Sequence, residues 1–474
     1  MSQVTSKKWS VLAVVTLVSF ITNLDGTIVI VGLPKLMQGL HIGITTGLWI
    51  LTSYIITSTL FLLPAGRWSD VIGAKRIFLG GLAIFTVATI LCGLAPSGGW
   101  LIVFRFVQGT GAALALATAT PIIVRTFPSA QLGRALGINS TSWVIGSIVG
   151  PVAGGALVST LGWRSIFFVT VPFAVIGMIG ALVVLPGSAR QDRQKTDWGG
   201  MLTFGLGLVG LLVAMTEGEA WGWGSGRIIT LFAVAVILFI SFARLEARAP
   251  QPLFDLKLLR HRHYTAGLGV TLTYSIGYFA TTFLLTIYLQ GALHMSPLDA
   301  GLMLIPLSAP QLIMGPLGGM IADKAGPARL VILGIILLAI GGLALGNLGT
   351  TLRTTAIVIP LLIMSVANGL AWPALTKAVM SSAPREATGS ASGMFYTFRN
   401  VGMALSLTLA LVVAELSVPP AVASKVFLGT AGILSSHLES ALVSSNDAGF
   451  RVFVGFYLVA LLLSLTLLRP HKEH

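Results

Sequence analysis

Long apolar stretches recur along almost the whole chain, with short polar segments between them. A stretch of about twenty apolar residues is long enough for a helix to cross a hydrocarbon core of roughly 30 Å. The pattern therefore predicts fourteen membrane-spanning helices and an all-α polytopic membrane protein. The predicted spans are 9–33, 46–64, 77–95, 100–124, 135–159, 164–185, 199–217, 227–243, 264–290, 298–321, 329–348, 354–377, 388–414 and 451–468.

Composition supports lipid as the solvent of this chain. Of its 474 residues, 55% are hydrophobic and only 9% are charged, whereas roughly one quarter of a soluble domain is charged. The single cysteine, Cys92, excludes an intrachain disulfide and a cysteine cluster for metal. The seven histidines are dispersed, so we expect no metal site.

The net charge of +14 raises nucleic-acid binding as an alternative, and the placement of the basic residues decides against it. With the N-terminus inside, 21 of the 29 lysines and arginines fall at cytoplasmic helix ends, six fall outside, and Arg105 and Arg399 fall within helices. This bias predicts that both termini are cytoplasmic. The first apolar run, 9–33, is too long for a signal peptide and is interpreted as an uncleaved first helix.

An internal repeat divides the chain. The pattern G-x3-D-x2-G-x2-R occurs at 66–76 and again at 319–329, an offset of 253 residues. This offset pairs helices one to six with helices nine to fourteen and leaves helices seven and eight as an insertion. The predicted organisation is a six-helix bundle over 1–190, two inserted helices with a cytoplasmic linker over 191–262, and a second six-helix bundle over 263–474.

The second bundle is predicted to contain a long extracellular loop over about 415–450. Pro419 and Pro420 lie near its start, and its middle is apolar. A helical or hairpin cap and a loosely ordered connector are both compatible with this composition.

Charged side chains at membrane depth are costly and are therefore functional candidates. Asp25, past the middle of the first helix, could exchange a proton or bind a cation, or it could be a structural hydrogen-bonding partner. Arg105 in the fourth helix needs carbonyl groups or a carboxylate beside it, and a structural brace is its alternative role. Glu415 is a candidate second carboxylate, although ordinary solvated acids also occur at helix ends.

The repeated motif predicts a conformational switch formed by Gly66, Asp70, Gly73, Arg76 and Asp323. Glycines allow a tight loop and close helix ends, while Asp70 can cap a helix N-terminus or pair with Arg76 or with a basic group of a neighbouring helix. Such a cytoplasmic latch would favour the outward-facing state. The alternative is a loop that merely satisfies the positive-inside bias.

The fifth helix carries a run of small residues with a proline, namely Gly146, Gly150, Pro151, Gly154 and Gly155. Small residues on one face predict close helix packing, and a proline within a helix predicts a kink. We interpret the Gly-Pro pair as a gate or seal, while generic membrane packing would explain the glycines alone.

Amide, aromatic and arginine side chains in several helices are candidates for a substrate cavity, where aromatic rings could stack on a lipophilic cation. Simple packing or an interfacial belt is the alternative for each aromatic residue. The candidates are Asn23, Trp49, Tyr54, Gln108, Trp143, Tyr274, Tyr278, Tyr396, Arg399 and Asn400.

Taken together, these motifs resemble those of the fourteen-helix drug:proton antiporter family of the major facilitator superfamily. Residues 24–34 resemble the first-helix motif, 66–76 the superfamily loop motif, 105–111 the fourth-helix motif, 146–155 the antiporter motif and 163–172 the stretch before helix six. The resemblance implies that Asp25 takes part in proton coupling with support from Arg105. It also implies that Asp70 and Arg76 control the switch and that the Gly150-Pro151 pair seals a leak path.

The resemblance further implies proton-driven export of amphipathic, often cationic, compounds across a bacterial cytoplasmic membrane by alternating access. Protons are the coupling ion, no other cofactor is expected, and the protein is expected to act as a monomer among membrane lipids. An exporter of a lipid or a dedicated metabolite with the same fold is the alternative. A receptor or an enzyme is not favoured, since the sequence shows no catalytic cluster.

Overall fold

The computed structural model describes residues 2–42, 44–187, 198–249, 258–295, 297–349, 353–384, 387–415 and 436–468, and nearly all of these residues are helical. Helices dominate because a chain in lipid must satisfy its backbone N–H and C=O groups within each segment. No strand occurs in these ranges. The fold class is thus the predicted one, an all-α polytopic membrane protein.

The first seven helices are α1 (Ser2–Leu40), α2 (Ile44–Trp68), α3 (Ala74–Leu94), α4 (Gly98–Thr126), α5 (Ser129–Leu161), α6 (Ser165–Phe168) and α7 (Thr170–Val184). The next two are α8 (Trp198–Trp221) and α9 (Gly226–Arg248). The remaining helices are α10 (Arg262–Ile287), α11 (Pro297–Ser308), α12 (Gln311–Ala325), α13 (Pro327–Leu345), α14 (Thr354–Ser381), α15 (Thr388–Glu415) and α16 (Ser436–Ser464).

Every predicted span overlaps one of these helices or a consecutive pair of them. The sixth span contains α6 and α7, and the tenth contains α11 and α12, which are separated at Ala309 and Pro310. By length and composition, 11 helical segments in the described ranges can cross a membrane, and one of them, Trp49–Leu94, contains two predicted spans.

The outward-facing surfaces of several helices are apolar. Ile176, Ile179 and Val183 on α7 are 57%, 58% and 76% exposed, and Ile237 on α9 is 61% exposed. Apolar surface of this extent is not tolerated in water but is expected where lipid tails surround the helices. The protein is therefore a multi-pass membrane protein.

The predicted loop at 66–76 is wrong in detail, because the chain remains helical there. Gly66 lies in α2, and a π-helical segment, Ser69–Gly73, joins α2 to α3. Gly73 adopts a φ of 106°, and Gly326 at the equivalent position of the repeat adopts a φ of 85°. Side chains are strained in this region, so both copies of the motif require glycine.

The start predicted for the last helix is also wrong. The helix begins at Ser436 rather than near Arg451, so 436–450, which were predicted to belong to the long extracellular loop, are helical. Two of the polar residues that interrupt the apolar pattern hydrogen-bond to neighbouring segments: Ser445 Oγ donates to Val413 O, and Asp447 Oδ1 accepts from Leu348 N. Residues 416–435 lie outside the described part of the chain.

The chain forms two compact units. Unit 1 comprises Met1–Leu212, Thr230–His261 and Met380–Thr397, and unit 2 comprises Val213–Ile229, Arg262–Val379 and Phe398–His474. The division predicted at 190 and 262 stays a prediction.

Each unit has its own interior. In unit 1, α3 and α4 pack closely because an added Cβ on Gly81 would lie 2.8 Å from Gly111 O. In unit 2, Gly277 on α10 leaves room for the ring of Tyr457 on α16, whose Cε1 would be 2.6 Å from such a Cβ.

Candidate functional site

The centre of unit 1 contains a buried ion pair between α1 and α4. Arg105 Nη1 lies 2.6 Å from Asp25 Oδ2, and the two side chains are 1% and 0% exposed. Gln108 Nε2 donates to the other carboxylate oxygen, Asp25 Oδ1, at 2.8 Å. Both oxygens of the carboxylate are therefore hydrogen-bonded, and its charge is balanced in an environment without bulk water.

The same ion pair is connected to α2 and α3. Arg105 Nε donates to Ile50 O at 3.2 Å, and the guanidinium lies 4.2 Å from the centroid of the Tyr54 ring. Gln108 Nε2 also donates to Thr89 Oγ1 at 2.8 Å. Residues of four helices thus belong to one hydrogen-bonded network around the Asp25–Arg105 pair.

Arg105 has both kinds of partner that the sequence required of it, a carboxylate and a carbonyl. Thr89 and the Ile50 carbonyl were not predicted as members of this network. Thr89 could have been noticed because it is a polar residue in an apolar helix. The Ile50 carbonyl could not, because a backbone group has no side-chain pattern in the sequence.

The small residues of α5 pack against α1. An added Cβ on Gly146 would lie 2.5 Å from Asn23 Nδ2, and one on Gly154 would lie 2.9 Å from Ile28 Cγ1. Two hydrogen bonds cross this contact, from Asn23 Nδ2 to Trp143 O at 2.6 Å and from Thr27 Oγ1 to Gly146 O at 3.0 Å. The predicted close packing is present on the helix that carries Asp25, while the kink and the seal stay predictions.

Gly150→Ala is expected to lower the free energy of unfolding by about 1–3 kcal/mol, because overpacking forces neighbouring groups apart. The new Cβ would overlap Thr27 Oγ1 and lie 2.8 Å from Thr27 Cβ. Gly155→Ala on the same helix is the matched control, since nothing lies within 4 Å of its added Cβ. Thermal unfolding of both variants in detergent checks this, and equal midpoints would contradict the packing argument.

Asp70 joins the π-helical segment to the start of α15. Its Oδ1 accepts from Gly389 N at 2.9 Å, and its Oδ2 accepts from Ser390 N at 2.8 Å and Ser390 Oγ at 3.1 Å. The carboxylate therefore caps the N-terminus of α15, where the helix dipole favours negative charge. Its ion-pair partner is Arg125 at 2.9 Å, rather than Arg76, which is exposed.

The second copy of the motif holds an equivalent ion pair in unit 2. Lys377 Nζ on α14 lies 2.6 Å from Asp323 Oδ1 on α12. Lys377 follows Arg125 by 252 residues, almost the offset of the repeat. The structure therefore pairs each repeated aspartate with a basic residue at the end of the helix two positions later. Neither basic partner was predicted, because the repeat also relates Arg76 to Arg329 and therefore does not single out Arg125 and Lys377.

The predicted cavity residues fall into both units. In unit 1, Tyr54 and Gln108 belong to the Asp25 network, Asn23 and Trp143 lie at the contact of α1 with α5, and Trp49 is half-buried on α2. Tyr396 lies on α15, and its hydroxyl is 2.9 Å from Thr120 Oγ1. The side chains of Asn23, Gln108 and Tyr396 are held by hydrogen bonds, and the role of all these residues in binding stays a prediction.

In unit 2, the other four candidates lie on α10 and α15. Tyr274 and Tyr278 stack with ring centroids 6.1 Å apart, and Arg399 Nη1 donates to Asn400 Oδ1 at 3.3 Å. Two amide residues, Gln311 and Asn368, hydrogen-bond to the two tyrosines and were missed in the sequence, where uncharged amides carry little signal.

Glu415, the candidate second carboxylate, ends α15, and its side chain lies outside the described part of the chain.

Comparison with known proteins adds the evolutionary context. The family model described as "Major Facilitator Superfamily" matches residues 15–407. "Multidrug transporter protein MdtP" of Bacillus subtilis is 29% identical over 405 residues, which cover 85% of this chain and 75% of that protein. The "Tetracenomycin C resistance and export protein" of Streptomyces glaucescens is 30% identical over 402 residues, which cover 84% and 74%.

A solved structure shares the fold. It is that of the human organic anion transporter MFSD10 (TETRAN), with a TM-score of 0.65 and 15% sequence identity. The superposition covers 96% of this chain and 99% of the human one. At this level of identity the likeness concerns the fold alone.

Proposed function

The chain belongs to the major facilitator superfamily, and we propose that it is a proton-driven antiporter that exports amphipathic small molecules. It is a multi-pass transporter and not an enzyme. Its proposed location is a bacterial cytoplasmic membrane with both termini inside. The observation that carries the proposal is the buried Asp25–Arg105 pair, whose hydrogen-bond network reaches four helices.

The pair gives a physical reason for coupling. A proton on Asp25 removes the negative charge that balances Arg105, and an unbalanced charge in a buried site costs several kcal/mol. Proton binding therefore favours a state in which the guanidinium finds other partners, and proton release favours the state described here. A group whose protonation changes the relative free energy of two conformations couples the proton gradient to alternating access.

Asp70 is proposed to act as the latch of the switch. Its carboxylate accepts three hydrogen bonds from the first turn of α15 and pairs with Arg125. Movement of that turn away from the π-helical segment would break all three hydrogen bonds together. Such all-or-none contacts give a transporter two discrete states rather than a continuous range.

The names of the relatives support export and are compatible with either many substrates or a single one. One is named a multidrug transporter and the other is named for a single compound, tetracenomycin C. The alternative to multidrug export is therefore a dedicated exporter of one metabolite or lipid with the same fold and the same coupling.

The proposal is tested with the purified chain in proteoliposomes under an imposed proton gradient. We expect accumulation of at least one of three fluorescent probes, namely ethidium, daunorubicin and N-acetyldaunorubicin, and we expect a protonophore to abolish it. Transport of several probes that compete with one another favours multidrug export, and transport of one favours a dedicated substrate. Equal probe levels with and without the gradient would contradict proton coupling.

A further inference from the structure

Four polar side chains of unit 2 form a continuous chain of hydrogen bonds across three helices. Tyr274 Oη on α10 donates to Asn368 Oδ1 on α14 at 2.5 Å. Asn368 Nδ2 donates to Gln311 Oε1 on α12 at 2.5 Å, and Gln311 Nε2 donates to Tyr278 Oη at 2.9 Å. The chain thus begins and ends on α10, and its two terminal tyrosines stack on one another.

In each of these three hydrogen bonds the donor lies on the Tyr274 side and the acceptor lies on the Tyr278 side, so the series has a direction from Tyr274 to Tyr278. Tyr278 accepts from Gln311 and keeps its own hydroxyl hydrogen for donation. Each bond in such a series polarises the next one, which strengthens the last donor. Tyr278 is half-buried, whereas Tyr274 is 1% exposed, so the strengthened donor belongs to the less buried of the two tyrosines.

Two further aromatic rings and a guanidinium lie beside the two stacked tyrosines. The Trp372 ring lies 6.0 Å from the Tyr274 ring, and the Phe279 ring packs edge-on at 5.7 Å from the Tyr278 ring. The Arg399 guanidinium lies 5.2 Å from the centroid of Phe279 and 5.6 Å from that of Trp372. Half-buried rings beside a hydrogen-bond donor suit a flat aromatic ligand.

The charges of these residues select against a cation. The two phenols and two amides are neutral, and Arg399, which is 8% exposed, is positive. A cationic ligand beside this guanidinium would lose hydration and meet a like charge. An oxygen acceptor without positive charge would instead accept from Tyr278 and lie in a favourable field.

We propose that unit 2 binds planar aromatic compounds that carry carbonyl, hydroxyl or phenolate oxygens and no positive charge. The binding residues are the hydrogen-bonded series that ends on Tyr278, together with Trp372, Phe279 and Arg399. This inference rests on the proposed export function and gives it a substrate class. The class differs from the often cationic cargo expected from the sequence.

The test compares equilibrium binding of daunorubicin, which carries an ammonium group, with N-acetyldaunorubicin, in which the same amine is acylated and uncharged. Fluorescence titration of the purified full-length protein in detergent gives the two Kd values without any proton gradient. We expect N-acetyldaunorubicin to bind at least about fivefold more tightly, since a buried charge without a partner is penalised. Tighter binding of daunorubicin, or no binding of either probe, would overturn the proposal.

Variants locate the binding to these residues. Tyr278→Phe and Asn368→Leu are each expected to weaken N-acetyldaunorubicin binding about tenfold, the usual effect of one hydrogen bond to a buried ligand. Tyr288→Phe is the matched control, because Tyr288 also lies in unit 2 but donates to Gly349 O. Arg399→Gln is expected to narrow the preference between the two probes. A Kd for Tyr278→Phe within twofold of wild type would contradict the assignment.

These measurements separate the two proposals. Loss of the binding preference with intact gradient-driven transport rejects this site and leaves the antiporter function in place. Normal binding without gradient-driven transport rejects the antiporter function and leaves the binding site in place.

Discussion

Asp25→Asn is expected to reduce gradient-driven accumulation of the transported probe by about 100-fold or more, the scale on which loss of a proton-transfer group acts. Asparagine has nearly the shape of aspartate and can still accept from Arg105 Nη1. Its amide side chain, however, does not take up and release a proton as a carboxylate does. Transport of probe down its own gradient is expected to continue. Accumulation and downhill flux in proteoliposomes are the two quantities to compare.

Two further variants separate coupling from folding. Asp25→Asn leaves the buried Arg105 charge unbalanced, so we expect a lower free energy of unfolding, by up to about 3 kcal/mol. Adding Arg105→Gln should restore much of that stability without restoring coupling. Glu217→Gln removes a buried carboxylate on α8 outside the network and should keep full accumulation. Wild-type accumulation by Asp25→Asn would contradict the assigned role.

Asp70→Asn is expected to slow transport about tenfold and to loosen the first turn of α15. The variant keeps one acceptor oxygen but loses the charge that pairs with Arg125 and faces the helix dipole. Charge-assisted hydrogen bonds and helix caps each contribute about 1–2 kcal/mol, and a tenfold change in population corresponds to about 1.4 kcal/mol. Hydrogen exchange at Gly389 and Ser390 measures the loosening directly, since both amides donate to Asp70.

Ser390→Ala provides a graded comparison for the latch. It removes the side-chain bond of 3.1 Å to Asp70 Oδ2 but keeps both backbone donors. We therefore expect a smaller increase in exchange than for Asp70→Asn. Unchanged exchange at both amides in Asp70→Asn would show that the carboxylate does not hold this turn.

The sequence predicts the fold well because lipid imposes simple rules. Apolar length gives the spans, while the two related halves that the repeated motif indicates stay a prediction. The prediction fails where polar groups inside a helix find partners elsewhere in the fold. The helix at Ser436–Ser464 is an example, because Asp447 ends an apolar pattern but accepts a hydrogen bond from Leu348 N.

The candidate site was predictable to different degrees. Asp25 and Arg105 stand out because charge is rare at membrane depth, and the structure brings them together. The partner of Asp70 could not be chosen from the sequence, since Arg76 and Arg125 both lie at predicted cytoplasmic helix ends and only the packing of α4 places one of them within reach. Gln311 and Asn368 are uncharged, so only their mutual hydrogen bond distinguishes them from ordinary polar residues in helices.

The central claim is that Asp25 exchanges the coupling proton, and substrate-induced proton release measures this most directly. Purified protein is loaded with protons at mildly acidic pH in weak buffer with a pH-sensitive dye, and daunorubicin or N-acetyldaunorubicin is added. The account predicts proton release on binding of the transported probe by wild type and by Glu217→Gln, and none by Asp25→Asn despite retained binding. Undiminished proton release by Asp25→Asn would contradict it.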